Sequence, residues 1–313
     1  MKKRLILLII IILFVILFAV FVGLTLLIYP SVGELTDEHY LGSHRGNSLD
    51  YIENTLPAFE SALNDDNYSF IEFDIQYTKD KIIVVHHDLS LRRLQKKQDK
   101  IKDLTYEQVL NVSDYLIPTY EETMNLLAGE KPLNIEIKSQ GNLENDLEMA
   151  DYIIEDLEKR EIMNTTLISS ISFDLIQQIN NKYNNRSSYI RYADYWGIQK
   201  RYINTGLIYY IDESTFTRRI PLVRYLTEIF RDAGFYDSML SSWWLSGANH
   251  LMIHGANIRQ YDILRPQIPF NSRIVLWTFD DKMYLILPDK EIWGWQEEVN
   301  NFKIDEVNPW WED

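Results

Sequence analysis

The sequence predicts an α/β fold, an eight-stranded βα barrel of the (β/α)8 or TIM type, preceded by one transmembrane helix. The barrel is predicted because strand-like and helix-like segments alternate over about 270 residues. The chain has 313 residues, of which 46% are hydrophobic, so it can bury a large core. An open doubly wound sheet is the alternative, but no glycine-rich phosphate loop follows any predicted strand.

The membrane helix is predicted at residues 5–28, which carry no charge and are nearly all apolar. This length is sufficient to cross a hydrocarbon core. Lys2, Lys3 and Arg4 precede it, so residues 1–4 are expected in the cytoplasm and the remainder outside, with the protein at the cell membrane. A cleaved signal peptide is the alternative, although no clear small-x-small cleavage site is present. Residues 29–38 would be a linker and residues 39–313 the barrel domain.

Charge and cysteine content exclude several classes of function. The formal net charge is −15, and without the three basic residues at positions 2–4 it becomes −18. Such a surface repels polyanions, so nucleic acid is not an expected partner. The absence of cysteine excludes disulfides, thiolate metal sites and a catalytic thiol. A small anionic substrate would therefore need a local cationic pocket. The oligomeric state is left open.

The first half of the barrel domain has clear local signals. Residues 69–77 alternate apolar and polar side chains, residues 82–85 are a β-branched run, and Pro57 suits the first turn of a helix. Strands are predicted at 40–43, 69–77, 82–85 and 132–138. Helices are predicted from Asn54 or Thr55 onward and at 105–110, 120–127 and 142–160. Residues 95–103 are expected to form a solvated loop.

The second half has weaker signals. Strands are predicted at 167–170, 188–192, 273–279 and, weakly, 302–307, with a helix at 173–183. Residues 193–248 fit the alternation poorly and are rich in aromatic residues, for which packing is the favoured interpretation. The alternative is a lid or wall that contacts an acyl chain, a sugar or the bilayer interface. Candidates for such a substrate wall are Trp243, Trp244 and Trp277.

Three carboxylates stand on predicted strands. Glu72 and Asp74 are two residues apart, so both side chains project from one face. Glu136 lies between Ile135 and Ile137 on another strand. Close carboxylates on a buried face are unfavourable unless a cation joins them. All-oxygen ligands indicate Ca²⁺ or Mg²⁺ rather than zinc; a plain solvent-exposed face is the alternative.

Histidines and basic residues complete the set of candidate groups. His44 and His87 each follow a predicted strand, which is where barrel enzymes place catalytic groups. Two histidines can act as general acid and base in phosphoryl transfer. Arg45 and Lys138 could hold an anionic oxygen. Taken one at a time, each of these residues fits a structural or surface role better than a functional one.

Several short motifs follow one another along the chain: HRG (44–46), ENT (53–55), IEFD (71–74), TKD (78–80), VVHHD (84–88) and NIEIK (134–138). Further motifs are IKDLTYEQV (101–109), IPTYEET (117–123), LISSISFD (167–174) and VLWTFDD (275–281). In combination, these motifs resemble the glycerophosphodiester phosphodiesterase family over most of residues 40–281. The N-terminal segment suggests a membrane-anchored member, and the usage of Asn, Ile, Lys and Tyr suggests a bacterial one.

The resemblance implies a barrel of the phospholipase C-like phosphodiesterase type that hydrolyses a glycerophosphodiester to an alcohol and glycerol phosphate. It implies that His44 and His87 are the acid and base pair and that Arg45 and Lys138 contact the phosphate. The implied ligands of one divalent cation, Ca²⁺ or Mg²⁺, are Glu72, Asp74 and Glu136. Lysophospholipase D-like cleavage of a lysophospholipid, or a non-catalytic surface-binding role, is the alternative. The phosphatidylinositol-specific phospholipase C type would not carry ENT, E-x-D and E-x-K together.

The sequence departs from the family pattern at three places. Ile52 replaces the proline before ENT, and the last strand motif is reduced to KIDEVNP (303–309). Lys81 replaces the glycine that usually follows TKD. We therefore expect another residue to adopt any positive φ in that turn, and Asp80 is the candidate.

Overall fold

The computed structural model describes residues 40–184, 203–209, 242–243, 245–254, 273–277 and 282–286. The predicted membrane helix at 5–28, the linker, and the predicted strands at 188–192 and 302–307 lie outside the described residues. Within the described ranges, no helix combines the length and the apolar character needed to cross a membrane.

Strands and helices alternate along most of the described chain. The strands are β1 (Tyr40–Ser43), β2 (Phe70–Tyr77), β3 (Ile83–Val85), β4 (Leu133–Ile137), β5 (Thr166–Ser170), β6 (Asn204–Tyr209), β7 (His250–His254), β8 (Arg273–Trp277) and β9 (Lys282–Ile286). The helices are α1 (Leu56–Leu63), α2 (Arg92–Gln95), α3 (Tyr106–Val112), α4 (Tyr120–Leu127), α5 (Leu143–Lys159) and α6 (Phe173–Tyr183). The predicted helices at 120–127 and 173–183 have the predicted bounds.

Eight of the strands form a closed ring in the order β1, β2, β4, β5, β6, β7, β8, β9. The ring closes because β1 pairs with β2 in parallel and with β9 in antiparallel orientation. The α/β barrel prediction is therefore confirmed, but β9 runs antiparallel to both neighbours. Only residues 278–281 separate β8 from β9, and a parallel return would require a crossover of about a dozen residues.

The remaining strand, β3, lies outside the ring and pairs antiparallel with β2. It is reached through a tight turn in which Lys81 itself adopts a φ of 63°, so the expectation for Asp80 is wrong. Lys81 Nζ donates to Asn145 Oδ1 at 2.6 Å and to Glu148 Oε2 at 2.8 Å on α5. These bonds offset part of the cost of the left-handed backbone, and Asp80 instead accepts a bond from the Thr78 hydroxyl.

Three ring strands were not predicted from the sequence: β6, β7 and β9. β6 lies inside the aromatic-rich segment and begins Asn-Thr-Gly, residues with weak strand signals. The structure explains why residue 206 is a glycine: a Cβ at this position would lie 2.6 Å from Met252 Sδ inside the barrel. The local pattern is therefore weak at a place where packing inside the barrel leaves no room for a side chain.

The alternation along β2 determines where polar groups can stand. Ile71, Phe73 and Ile75 are buried in the core between the sheet and the helices. Phe70 belongs to a second apolar cluster, which fills the barrel with Leu167, Ile208, Met252, Val275 and Met283. Glu72 and Asp74 share the face of Phe70 and lie beyond it, toward the carboxyl end of the strand. The barrel therefore has an apolar floor and a polar carboxyl-terminal end.

Candidate active site

The loop after β1 brings a histidine and an arginine to the carboxyl-terminal end of the barrel. Arg45 and Gly46 both have left-handed backbones, with φ of 64° and 76°. A Cβ on Gly46 would lie 2.8 Å from the Ala58 carbonyl carbon, so only glycine lets this loop pack on α1. The turn directs the Arg45 N–H to Glu72 Oε2 at 2.8 Å, and it leaves His44 buried.

The three predicted carboxylates converge as the sequence indicated. Asp74 on β2 is in register with Glu136 on β4, and Glu72 lies one pleat below on β2. One carboxylate oxygen from each residue lies within 4.8 Å of the others, and all three residues are buried. Burial raises the pKa of Glu72 well above its usual value, and the charges of Asp74 and Glu136 raise it further.

Two cationic side chains partly balance these acids. Lys138 Nζ lies 3.0 Å from Asp74 Oδ1 and also contacts Glu136, while Arg45 Nε lies 3.4 Å from Asp74 Oδ2. Burial alone would lower the pKa of Lys138, but Asp74 and Glu136 hold it above its ordinary value. Burial would likewise raise the pKa of Asp74, yet these positive charges keep it well below the usual range.

The site fits a divalent cation. With all three carboxylates ionised, as metal binding requires, the two cationic side chains leave one negative charge uncompensated in a buried place. Oε1 of Glu72 is buried and has no hydrogen-bond partner among the described residues. Buried charged oxygens are normally paired or bound to metal, and carboxylate oxygens are the ligands of Ca²⁺ and Mg²⁺. A bound divalent ion would leave the site with a charge of +1, which suits a phosphodiester.

His87 reaches the site because β3 runs back along β2. Val85 pairs with Ile75, and the His86 N–H donates to the Asp74 carbonyl at 3.0 Å, so the chain returns to the carboxylates. His87 Nδ1 lies 2.8 Å from Asp88 Oδ1. An ionised carboxylate only accepts, so in the neutral imidazole the Nδ1 atom carries the proton and Nε2 is left as the acceptor. The neighbouring His86 is buried, which lowers its pKa.

Sequence reasoning missed four residues that support this site: Glu53, Asn54, Asp88 and Arg93. Asn54 Nδ2 donates to Asp74 Oδ2 at 2.7 Å, and the Asp74 N–H donates back to Asn54 Oδ1 at 3.2 Å. The first three residues belong to the ENT and HHD motifs, which could have indicated their role. No motif marks Arg93, because it lies among other charged residues of a polar stretch.

The structure separates the three tryptophans. Trp277 ends β8 at the carboxyl-terminal side, and its ring centroid lies 6.1 Å from that of His44. Trp243 is buried in helical backbone that precedes the amino end of β7, at the opposite side of the barrel. Trp244 lies outside the described residues. Trp277 is therefore retained as a candidate substrate wall, Trp243 is not, and the assignment of Trp244 stays a prediction.

The fold and the site together define an α/β barrel with a candidate divalent-metal centre beside a histidine–carboxylate pair. The model of the Glycerophosphoryl diester phosphodiesterase family matches residues 44–204, just over half of the chain. The chain belongs to this family.

Relatives and solved structures agree with the assignment. The chain is 30% identical over 138 residues to a glycerophosphodiester phosphodiesterase of Bacillus altitudinis, covering 41% of this chain and 56% of that protein. It is 32% identical over 117 residues to lysophospholipase D GDPD1 of Rattus norvegicus, covering 32% and 37%. The alignments span about half the length of these relatives or less.

Two solved structures share the fold. A glycerophosphodiester phosphodiesterase from Thermotoga maritima gives a TM-score of 0.50 at 22% identity, covering 85% of this chain and 92% of that chain. A phosphodiesterase from Oleispira antarctica, solved in complex with the product sn-glycerol-3-phosphate, gives 0.51 at 16% identity, covering 92% and 95%. At such identities the likeness establishes the barrel fold alone.

Proposed function

We propose that the protein is a metal-dependent phosphodiesterase that hydrolyses a glycerophosphodiester to an alcohol and glycerol phosphate. The observation that supports this most directly is the convergence of Glu72, Asp74 and Glu136 with two cationic side chains and the His87–Asp88 pair. Family membership and the names of the relatives support the same reaction.

The candidate residues divide into binding and proton-transfer roles. Glu72, Asp74 and Glu136 would hold the cation, which when bound acidifies a substrate hydroxyl and offsets charge on the phosphate. Arg45 and Lys138 bind the non-bridging phosphate oxygens, and charge-assisted bonds of this kind stabilise the transition state.

Proton transfer then falls to the two histidines. His87 Nε2 takes the proton of the neighbouring glycerol hydroxyl as its oxygen bonds to phosphorus. The bond from phosphorus to the departing alcohol oxygen breaks, and His44 gives that oxygen a proton. The cyclic phosphate is opened by water with the two proton transfers reversed, which yields glycerol phosphate.

The test is a turnover assay on the full-length protein with Ca²⁺, Mg²⁺ or EDTA. Alcohol release is measured from glycerophosphocholine, glycerophosphoethanolamine, glycerophosphoglycerol and a lysophospholipid. We expect His87→Ala to lower kcat by about 10²–10⁴-fold, the usual contribution of an acid or base. Glu72→Gln should abolish metal-dependent turnover, while the exposed Glu130→Gln should not.

Three results would contradict the proposal. Turnover that persists in EDTA would exclude the metal. Turnover that survives in each of the single variants His44→Ala and His87→Ala would exclude the acid and base pair. If none of the four substrates reacts, the non-catalytic surface-binding role becomes the better explanation.

A lysophospholipid is the second candidate substrate, because Trp277 lies beside His44 and one relative is named a lysophospholipase D. Trp277→Ala should then raise KM for the lysophospholipid more than for glycerophosphocholine. An equal loss on both substrates would indicate that the ring supports His44 rather than an acyl chain.

We also propose that residues 5–28 anchor the protein in the cell membrane and that the barrel faces the extracytoplasmic side. The apolar run and the three basic residues before it support this proposal.

A further inference from the structure

Arg93, on the short helix α2, is bound by two carboxylates that belong to different parts of the site. Its Nε donates to Asp88 Oδ2 at 2.7 Å. Its Nη1 and Nη2 donate to the two oxygens of Glu53 at 2.8 Å and 2.5 Å. The Glu53 contact is a two-bond fork, the geometry that arginine provides and lysine does not.

Each of these carboxylates also binds a candidate active-site group. Asp88 accepts from His87 Nδ1 at 2.8 Å through its other oxygen. Glu53 Oε1 accepts from Arg45 Nη1 at 3.0 Å. Asp88 thus links Arg93 to the imidazole of His87, and Glu53 links Arg93 to the guanidinium of Arg45.

Both carboxylates are kept charged in a partly buried place. Burial would raise the pKa of Asp88, but the hydrogen bond from His87 and the charge of Arg93 lower it to about 2. Burial would also raise the pKa of Glu53, and the bonds from Arg93 and the charge of Arg45 reverse that effect. Without Arg93, each carboxylate would be held by its single active-site partner and could rotate with it.

Arg92 makes the role of Arg93 specific. It lies on the same helix, carries the same charge and is exposed like Arg93, yet it makes no side-chain hydrogen bond or ion pair with the rest of the described chain. The difference between the two arginines is therefore contact geometry and not net charge.

We propose that Arg93 is a positioning residue for the reaction: it clamps Asp88 and Glu53 and thereby fixes the orientation of His87 and of Arg45. This inference rests on the proposed phosphodiesterase function for its kinetic consequences, but not for its structural ones. It assigns α2 a role in arranging the site from outside the barrel.

The kinetic test compares Arg93→Met, Arg93→Lys and the matched control Arg92→Met in the full-length protein. Removing a group that orients a catalytic side chain costs about 10–100-fold, so we expect Arg93→Met to lower kcat by that factor, whether or not KM also rises through the released Arg45. Arg93→Lys keeps the charge without the fork and should recover only part of kcat. Arg92→Met should behave as the wild type.

A kinetic pattern of the opposite kind would overturn the proposal. If Arg93→Met raises KM and leaves kcat unchanged, the guanidinium binds substrate directly. An unchanged kcat and KM would show that the clamp has no effect. Thermal unfolding of each variant separates a local effect from a loss of folding, and Arg93→Lys provides the comparison if Arg93→Met does not fold.

A second readout does not require turnover. Nitrogen-15 NMR of the imidazole rings reports which ring nitrogen carries the proton, and His87→Gln identifies the His87 signal. We expect the Nδ1–H form in the wild type and in Arg92→Met, and a mixture of both forms in Arg93→Met. If the wild type turns over no substrate, this result alone decides: a mixture supports the clamp, and an unchanged Nδ1–H form overturns it.

Discussion

At the scale of single residues, the site depends on left-handed backbone positions. Arg45 and Asn54 have φ of 64° and 58°, a conformation that is costly for residues other than glycine. Asn54 tolerates it better than most residues. Its N–H donates to the Arg45 carbonyl at 3.0 Å while its amide holds Asp74. One residue therefore fixes both the proposed anion-binding group Arg45 and the proposed metal ligand Asp74.

Replacing Asn54 with glycine or alanine separates the backbone from the amide. Both variants lose the bonds to Asp74, so cation affinity should fall by about 10–100-fold, as for other groups that orient metal ligands. Asn54→Ala should cost about 1 kcal/mol more folding free energy than Asn54→Gly because of the positive φ. Calorimetric titration with Ca²⁺ or Mg²⁺ and urea unfolding measure the two effects.

Either of two findings would refute this account of Asn54. Unchanged cation affinity in both variants would show that the amide does not hold Asp74 for the metal. Equal stability of the glycine and alanine variants would show that the backbone position is not strained.

At the scale of elements, β2 and β4 are apolar toward the helices and acidic toward the carboxyl-terminal end of the barrel. Their pairing places Asp74 beside Glu136, and both residues are buried. Such a pair of strands is stabilised by its apolar face and destabilised by three close carboxylates. The cation would relieve that repulsion, so metal binding and the stability of this part of the sheet are coupled.

This coupling predicts that Ca²⁺ or Mg²⁺ stabilises the full-length protein. A ligand at 100 times its Kd adds about 2.7 kcal/mol to the free energy of unfolding, which thermal unfolding detects as a higher Tm. EDTA should reverse the shift and Glu72→Gln should reduce it, because one ligand is lost. Glu130→Gln, an exposed change with the same loss of charge, serves as the control. A Tm that does not respond to either cation would count against the metal site.

At the scale of the whole molecule, the N-terminal segment and the acidic remainder have opposite properties. Residues 5–28 are uncharged, whereas the chain without its three N-terminal basic residues has a net charge of −18. An acidic domain is repelled by an anionic membrane surface, so attachment would depend on the apolar segment rather than on the surface of the barrel.

We therefore expect the full-length protein to remain with membranes after an alkaline carbonate wash. A variant that lacks residues 2–28 should be released from the membranes. The intact mass of the membrane-bound protein should equal that of a chain starting at Met1. A mass that lacks the first 25 to 30 residues or so, together with release from the membrane, would instead indicate a cleaved signal peptide.

Much of the described fold could be predicted because its signals are local. The helices at 120–127 and 173–183 have the predicted bounds, and the first strands follow their apolar patterns closely. β6, β7 and β9 were missed. For β6 the reason is that Gly206 is selected by a contact inside the barrel rather than by the strand itself. The direction of β9 was also missed, because it follows from a connection of four residues and not from any residue in the strand.

Local patterns were enough to predict which residues belong to the candidate site. Two carboxylates two residues apart on a strand share a face, His44, Arg45 and His87 follow predicted strands, and Lys138 ends another. The contacts that hold these groups could not be predicted from those patterns. The bonds from Arg93 to Glu53 join residues 40 positions apart, and Lys81 adopts its left-handed turn beside α5. The physical reason is that periodicity specifies which way a side chain points within its own element, whereas its partner depends on how distant elements close into the barrel.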